Sequence, residues 1–175
     1  AALLILFKIR ELRPDGRTIY KGLSLRDLGP NLRLYTLLNA VFGLGAFSYS
    51  FLILHARNAG AKVVFVPVLY LIYSAAASLL SYPMGRLSDR VGRKPVLFVS
   101  FGLWAVVCAG VLAGRGGMIW MGALFVLYGA HKAALEPVQK TLVCELSPPA
   151  FRASCLGGFQ MVIGLSALPA SFLAG

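Results

Sequence analysis

Three ionisable side chains interrupt an otherwise apolar stretch of this 175-residue chain. From Gly116 the sequence is uncharged as far as Ala130, then runs through His131, Lys132 and Glu136 to Gln139 and Lys140. On a helix, Lys132 and Glu136 are four residues apart and share a face, so an ion pair neutralising both charges is the simplest expectation. His131 points about 100° away from Lys132. If the stretch crosses a bilayer, each charge near its middle costs about 2.5–3.5 kcal/mol on insertion scales. Such residues need a partner or a purpose. The available chemistry is proton exchange at Glu136, with His131 assisting, and attraction of an anionic group by Lys132. The alternative is a structural ion pair, with Glu136 and Lys140 hydrated near the membrane surface.

A second group is more compact. Gly85, Leu87, Asp89, Arg90, Gly92, Arg93, Lys94 and Leu97 fall within one short segment joining two apolar stretches. Gly85 lets one helix end approach another backbone, and Gly92 permits a turn conformation closed to other residues. Asp89 suits the positive N-terminal end of a neighbouring helix. Arg90, Arg93 and Lys94 suit an anionic membrane surface. A loop that only set topology would need neither the aspartate nor the spaced glycines.

The elements that position these groups follow from composition. The chain is 58% hydrophobic and 13% charged, with a mean hydropathy of +0.77; a soluble domain carries about 25% charged residues. Apolar residues come in unbroken blocks at 34–54, 63–84, 95–114 and 153–175, and the interrupted block at 117–140 makes a fifth. About 20 apolar residues span a bilayer core as a helix. Lipid offers no partner to backbone amides, so spans are helices or closed barrels, and nothing here alternates as barrel strands do. The expected fold is an all-α membrane protein with five full transmembrane helices. Residues 1–10 read as the end of a preceding helix, and 11–33 as a basic linker. In that linker Pro14, Asp15 and Gly16 signal a turn, Ser24 and Asp27 fit a capping box, and Asn31 is placed to cap the next helix.

The formal charge of +11 is distributed unevenly. If the spans alternate, thirteen of the 17 Lys and Arg residues lie on 8–33, 85–94 and 140–152. Three lie on 55–62 and 114–117, and Lys132 lies within a span. This asymmetry follows the positive-inside rule. It makes the linker and the Gly85–Leu97 segment cytoplasmic, and it argues for a lipid bilayer rather than nucleic acid as the partner of the basic residues. Cys108, Cys144 and Cys155 show no paired or metal-ligand spacing and read as small buried residues. No cofactor is expected.

The Gly85–Leu97 segment resembles the signature loop of the major facilitator superfamily, G-x-L-x-D-R-x-G-R-[KR]-x-x-[LI], matching at all eight positions named above. Its position, on the basic side between two uncharged spans, is similar too. The resemblance implies a twelve-helix transporter in two six-helix halves, of which this chain would hold helices seven to eleven after the end of helix six and the central linker. The N-terminal half and helix twelve would lie outside the chain. The resemblance also implies that the loop latches the two halves, with Arg93 bridging Asp89 and Glu145. Helices seven, eight, ten and eleven would line a central cavity while helix nine faces lipid. Substrate or coupling candidates are then Asn39, Tyr49, Tyr70, Tyr73, His131, Lys132, Glu136 and Gln160. Tyr70, Tyr73, Ser74 and Ala77 share one helix face, which suits either cavity lining or close helix packing. Gly157, Gly158, Gly164 and Pro169 loosely resemble a glycine-proline pattern of the family's antiporters, without its spacing.

The implied function is secondary active transport of a small molecule by alternating access, coupled to an ion gradient such as protons and directed toward efflux, in the plasma (inner) membrane. The protein is not expected to be an enzyme. Two other classes are a non-transporting sensor or scaffold on a transporter fold, and an intramembrane enzyme acting on lipid. The second would need a nucleophile beside His131 and Glu136, and none lies in a motif with them.

Overall fold

The computed structural model describes residues 29–45, 49–58, 60, 62–114 and 117–174, apart from the side chains of 49, 63, 150 and 168–174. The expected helix end at 1–10 and the linker to residue 28, with its turn and capping box, lie outside the described residues. Six α-helices follow in order: α1 (Pro30–Gly45), α2 (Tyr49–Asn58), α3 (Val66–Val91), α4 (Arg93–Leu112), α5 (Met118–Leu146) and α6 (Arg152–Ala174), with short 3-10 turns at Val63–Phe65 and Pro149–Phe151. No strand occurs among the described residues.

Among the described residues four stretches are long and apolar enough to cross a membrane: Pro30–Asn58, which takes in α1 and α2, then α3, α4 and α5. The block at 153–175 forms the 23-residue α6. Several helix ends differ from those expected. The block at 63–84 becomes a helix that continues to Val91, and the one at 117–140 continues to Leu146. An uncharged run measures the apolar thickness it can cross, whereas charged residues such as Arg86 and Lys140 are good helix formers and carry the helix on beyond it. The signature segment is therefore mostly helical. It breaks only at Gly92, whose φ of 94° and ψ of 164° belong to a region open essentially to glycine alone. At the start of α1, Asn31 is already helical. Pro30 takes the first helical position, where its missing N–H costs nothing, and the Gly29 carbonyl accepts from the amides of Leu32 and Arg33 at 3.0 and 3.1 Å.

α5 is the hub. It packs along α3 and α4 and, more lightly, against α6, while α1 pairs mainly with α6. Its contact with α3 is close because Gly129 has no side chain. A Cβ there would stand 2.8 Å from both the Ala76 Cβ and the Tyr73 carbonyl oxygen. Around this seam Leu69, Trp104, Val107, Met121, Leu124, Phe125 and Tyr128 form the main core. A second cluster of Leu32, Val143, Cys155 and Phe159 joins α1, α5 and α6. The opposite faces of α3 and α4 are apolar and open, with Leu79 and Phe98 both 76% exposed. Such faces suit lipid or another helix, not water.

Candidate functional site

Two polar constellations occupy one end and the middle of the bundle. At the basic end, the one-residue break at Gly92 turns the chain from α3 into α4 and sets Arg93 at the first position of α4. From there the guanidinium reaches three groups. Nη1 donates to Asp89 Oδ1 at 2.5 Å and to Ser88 Oγ at 2.7 Å, and Nε donates to Glu145 Oε1 at 3.0 Å. α5 delivers Glu145 because it runs past Lys140 into its last turn. The two carboxylates sit beside the cation and offset its charge. Arg93 is 21% exposed, Glu145 48% and Asp89 67%, so the bridge is accessible to water and its bonds are individually weak. Ser88 is buried, a participant that sequence reasoning missed because its position in the motif is variable. Gly85 lies in α3 with nothing near the place of a Cβ. Arg90 and Lys94 are exposed.

The second constellation surrounds a cavity of about 380 Å³ between α1, α5 and α6. α1 supplies Asn39, Phe42 and Gly43; α5 supplies Lys132, Leu135, Glu136, Gln139 and Lys140; α6 supplies Phe159, Gln160, Ile163 and Gly164. Of the expected residues, Asn39, Lys132, Glu136 and Gln160 thus meet at one place. The expected ion pair does not form. No ion pair joins Lys132 to Glu136, and Lys132 Nζ lies 5.9 Å from the centre of the Tyr128 ring. Helical side chains lean toward the helix N-terminus, which carries Lys132 toward Tyr128, one turn back, and away from Glu136, one turn on. Glu136 is exposed to the cavity. Gln139, unassigned from sequence, donates from Nε2 to Asn39 Oδ1 at 2.5 Å, while Asn39 Nδ2 donates to the Tyr35 carbonyl at 2.8 Å. This joins α1 to α5 across the cavity floor. Tyr35 stacks on Phe159 at 5.8 Å and buries a hydroxyl with no hydrogen-bond partner among the described residues.

His131 lies elsewhere. It is 1% exposed and faces α4, where its Nδ1 is 2.8 Å from the Ser100 carbonyl oxygen and 3.0 Å from Ser100 Oγ. A carbonyl only accepts, so Nδ1 carries the proton. Ser100 Oγ then donates to the His131 carbonyl at 3.2 Å, closing a reciprocal link between the two helices. Trp104, Tyr128 and Phe42 surround the imidazole at 5.4, 5.9 and 6.4 Å. This arrangement fastens α4 to α5; it does not bring His131 to Glu136. The few polar residues of α4, expected on a lipid-facing helix, therefore turn inward.

Tyr73 also belongs to packing: it lies along the Gly129 seam with its ring 5.4 Å from that of Tyr128 and 6.0 Å from that of Tyr70, which is 45% exposed. α3 contributes nothing to the cavity wall. The side chain of Tyr49 lies outside the described residues. Among the described residues no group of His, Cys, Asp and Glu is placed to hold a metal.

Comparison with known proteins gives a consistent result. A sequence profile of the Major Facilitator Superfamily matches residues 35–175. The chain is 35% identical over 170 residues to an uncharacterized MFS-type transporter of Methanocaldococcus jannaschii, a match that covers 93% of this chain and 42% of that relative. It thus spans less than half the length of the curated relative it matches. No solved structure matches it. With the signature segment, the apolar helices and the profile in agreement over most of its length, the chain belongs to the major facilitator superfamily.

Proposed function

We propose that this chain is one wall of a secondary transporter, the C-terminal half running from helix seven to helix eleven, and that it moves a small molecule across the membrane by alternating access. The observation that carries the reading is the cavity between α1, α5 and α6, where Lys132 and Glu136 face shared space without neutralising each other. A charge held within a membrane span almost always faces a pathway or a pair, and here the pair is absent. Lys132 attracts an anionic group of the substrate. Glu136 takes up and releases the coupling proton, and Asn39, Gln139 and Gln160 supply hydrogen bonds. The missing half of the protein closes the cavity from the other side. Arg93, holding Asp89 and Glu145, fastens the cytoplasmic ends of α3, α4 and α5 in one state of the cycle and biases which side is open.

Flux through the full-length protein in proteoliposomes tests this. Saturable transport driven by a pH gradient is expected and would exclude a sensor or scaffold. Glu136→Gln is expected to bind substrate yet fail to concentrate it on the gradient; a variant that still concentrates substrate removes the proton role. Single cysteines in the 57–62 and 90–94 connectors test the topology, since only the first should be labelled from outside intact cells. Export is the direction we infer, and orienting the gradient in the vesicles distinguishes it from uptake.

A further inference from the structure

The cavity and the Arg93 bridge leave one charged patch unused. On α3, Tyr82, Arg86 and Arg90 recur every four residues, and with Pro83 and Leu87 they wall a concavity of about 260 Å³. That is below the ~300–1,000 Å³ of sites for drug-sized molecules and is the scale of a headgroup. The patch faces away from the bundle. Tyr82 is 71% exposed and Leu79, on the next turn, 76%, whereas Ser88 on the inner side of the same helix is buried. Among the described residues neither guanidinium has a carboxylate partner. Asp89 is engaged by Arg93, and Arg86 stands over the Tyr82 ring, 5.6 Å from its centre.

We propose that this patch binds the phosphate of an anionic phospholipid in the leaflet at the basic end of the bundle, with the acyl chains lying along Leu79. The inference goes beyond the transport reading and needs only that α3 crosses the bilayer. Guanidinium forks match phosphate oxygens in geometry and charge, and residues four apart on a helix are near enough to grip one phosphate from two sides. Tyr82 fits the level where tyrosines gather at membrane surfaces. The exposed Leu79 and Tyr82 favour a lipid over a free anion, because only a lipid brings apolar chains to cover them.

The test uses full-length protein in mild detergent, titrated with phosphatidylglycerol or phosphatidylcholine and read by native mass spectrometry. Each basic residue at an anionic surface contributes about fivefold, so phosphatidylglycerol is expected to bind roughly 25-fold more tightly than phosphatidylcholine. Replacing both Arg86→Gln and Arg90→Gln should abolish that preference, whereas Arg152→Gln, an exposed arginine at the same end, should keep it. Should the double variant not purify, Arg90→Gln alone is expected to lower the preference about fivefold. Wild-type preference in the Arg86 and Arg90 variants overturns the proposal. Displacement of the lipid by excess inorganic phosphate overturns it in favour of a free-anion site. Protection of both arginines from phenylglyoxal after lipid is stripped overturns it in favour of a surface covered by the rest of the polypeptide.

Discussion

Toward α3 and α4, α5 is dry: Gly129 meets the α3 backbone and His131 exchanges hydrogen bonds with Ser100. Toward α1 and α6, a quarter-turn away, it presents Lys132 and Glu136 to a cavity and pairs neither with the other. The same helix therefore carries polar groups under two regimes. In the seam every polar atom must find a fixed partner, because neither lipid nor water can reach it. In the cavity a charge can remain unpaired, since water or a solute serves it. Adjacent residues, His131 and Lys132, fall on opposite sides of this divide.

The contrast predicts that changes in the seam act on stability and changes in the cavity act on transport. The largest effect is expected for Gly129→Leu, whose first side-chain atom already has no room beside Ala76 and the Tyr73 carbonyl. Such overpacking costs about 1–3 kcal/mol and sometimes more, and thermal unfolding of the full-length protein should show a clear loss or no folded protein. An unchanged midpoint would mean that α3 and α5 are not in close contact. His131→Phe keeps the ring volume but removes the Nδ1–H bond to the Ser100 carbonyl, so a loss of about 0.5–1.5 kcal/mol is expected, with the substrate concentration at half-maximal flux shifted by less than about twofold. A large shift there would move His131 back into the transport chemistry.

Lys132→Gln should do the reverse. Stability is expected to change by no more than about 0.5 kcal/mol, while half-saturation rises about tenfold, equivalent to ~1.4 kcal/mol, for an anionic substrate. A destabilised protein with unaltered half-saturation would place Lys132 in the structural regime. Arg93→Ala is expected to cost about 1 kcal/mol or less of stability, its bonds being so exposed to water. Its informative readout is the balance of inward- and outward-open states, measured by cysteine accessibility, which should shift severalfold. Unchanged populations would end the latching role proposed for the bridge.

The membrane helices were legible in the sequence because bilayer thickness imposes a length and lipid imposes a composition, and both can be read along a line. Arg93, Asp89 and Glu145 were legible through the signature segment. Other features depend on partners far apart in the chain. Ser100 and His131, or Asn39 and Gln139, are related only through the packing of whole helices, so no local spacing signals them. The Lys132–Glu136 pair shows the opposite failure. Spacing of four puts two side chains within reach, but the direction each takes is set by its surroundings, and Lys132 lies with Tyr128. Likewise the charges of Arg86, Asp89 and Arg90 suggest a loop where the helix runs unbroken to Val91, because charge marks where a span leaves the apolar layer and not where its hydrogen-bond ladder stops.

One backbone feature reaches further than its size suggests. With Gly92 as the only non-helical residue between α3 and α4, the helix ends at Val91 and Arg93 can stand at most about 7 Å apart, which leaves the joint little slack. Neither helix can slide lengthwise past the other without dragging it along. The two therefore transmit force like the arms of a bent crank, and whatever tilts one arm displaces the Arg93 side chain mounted beside the elbow.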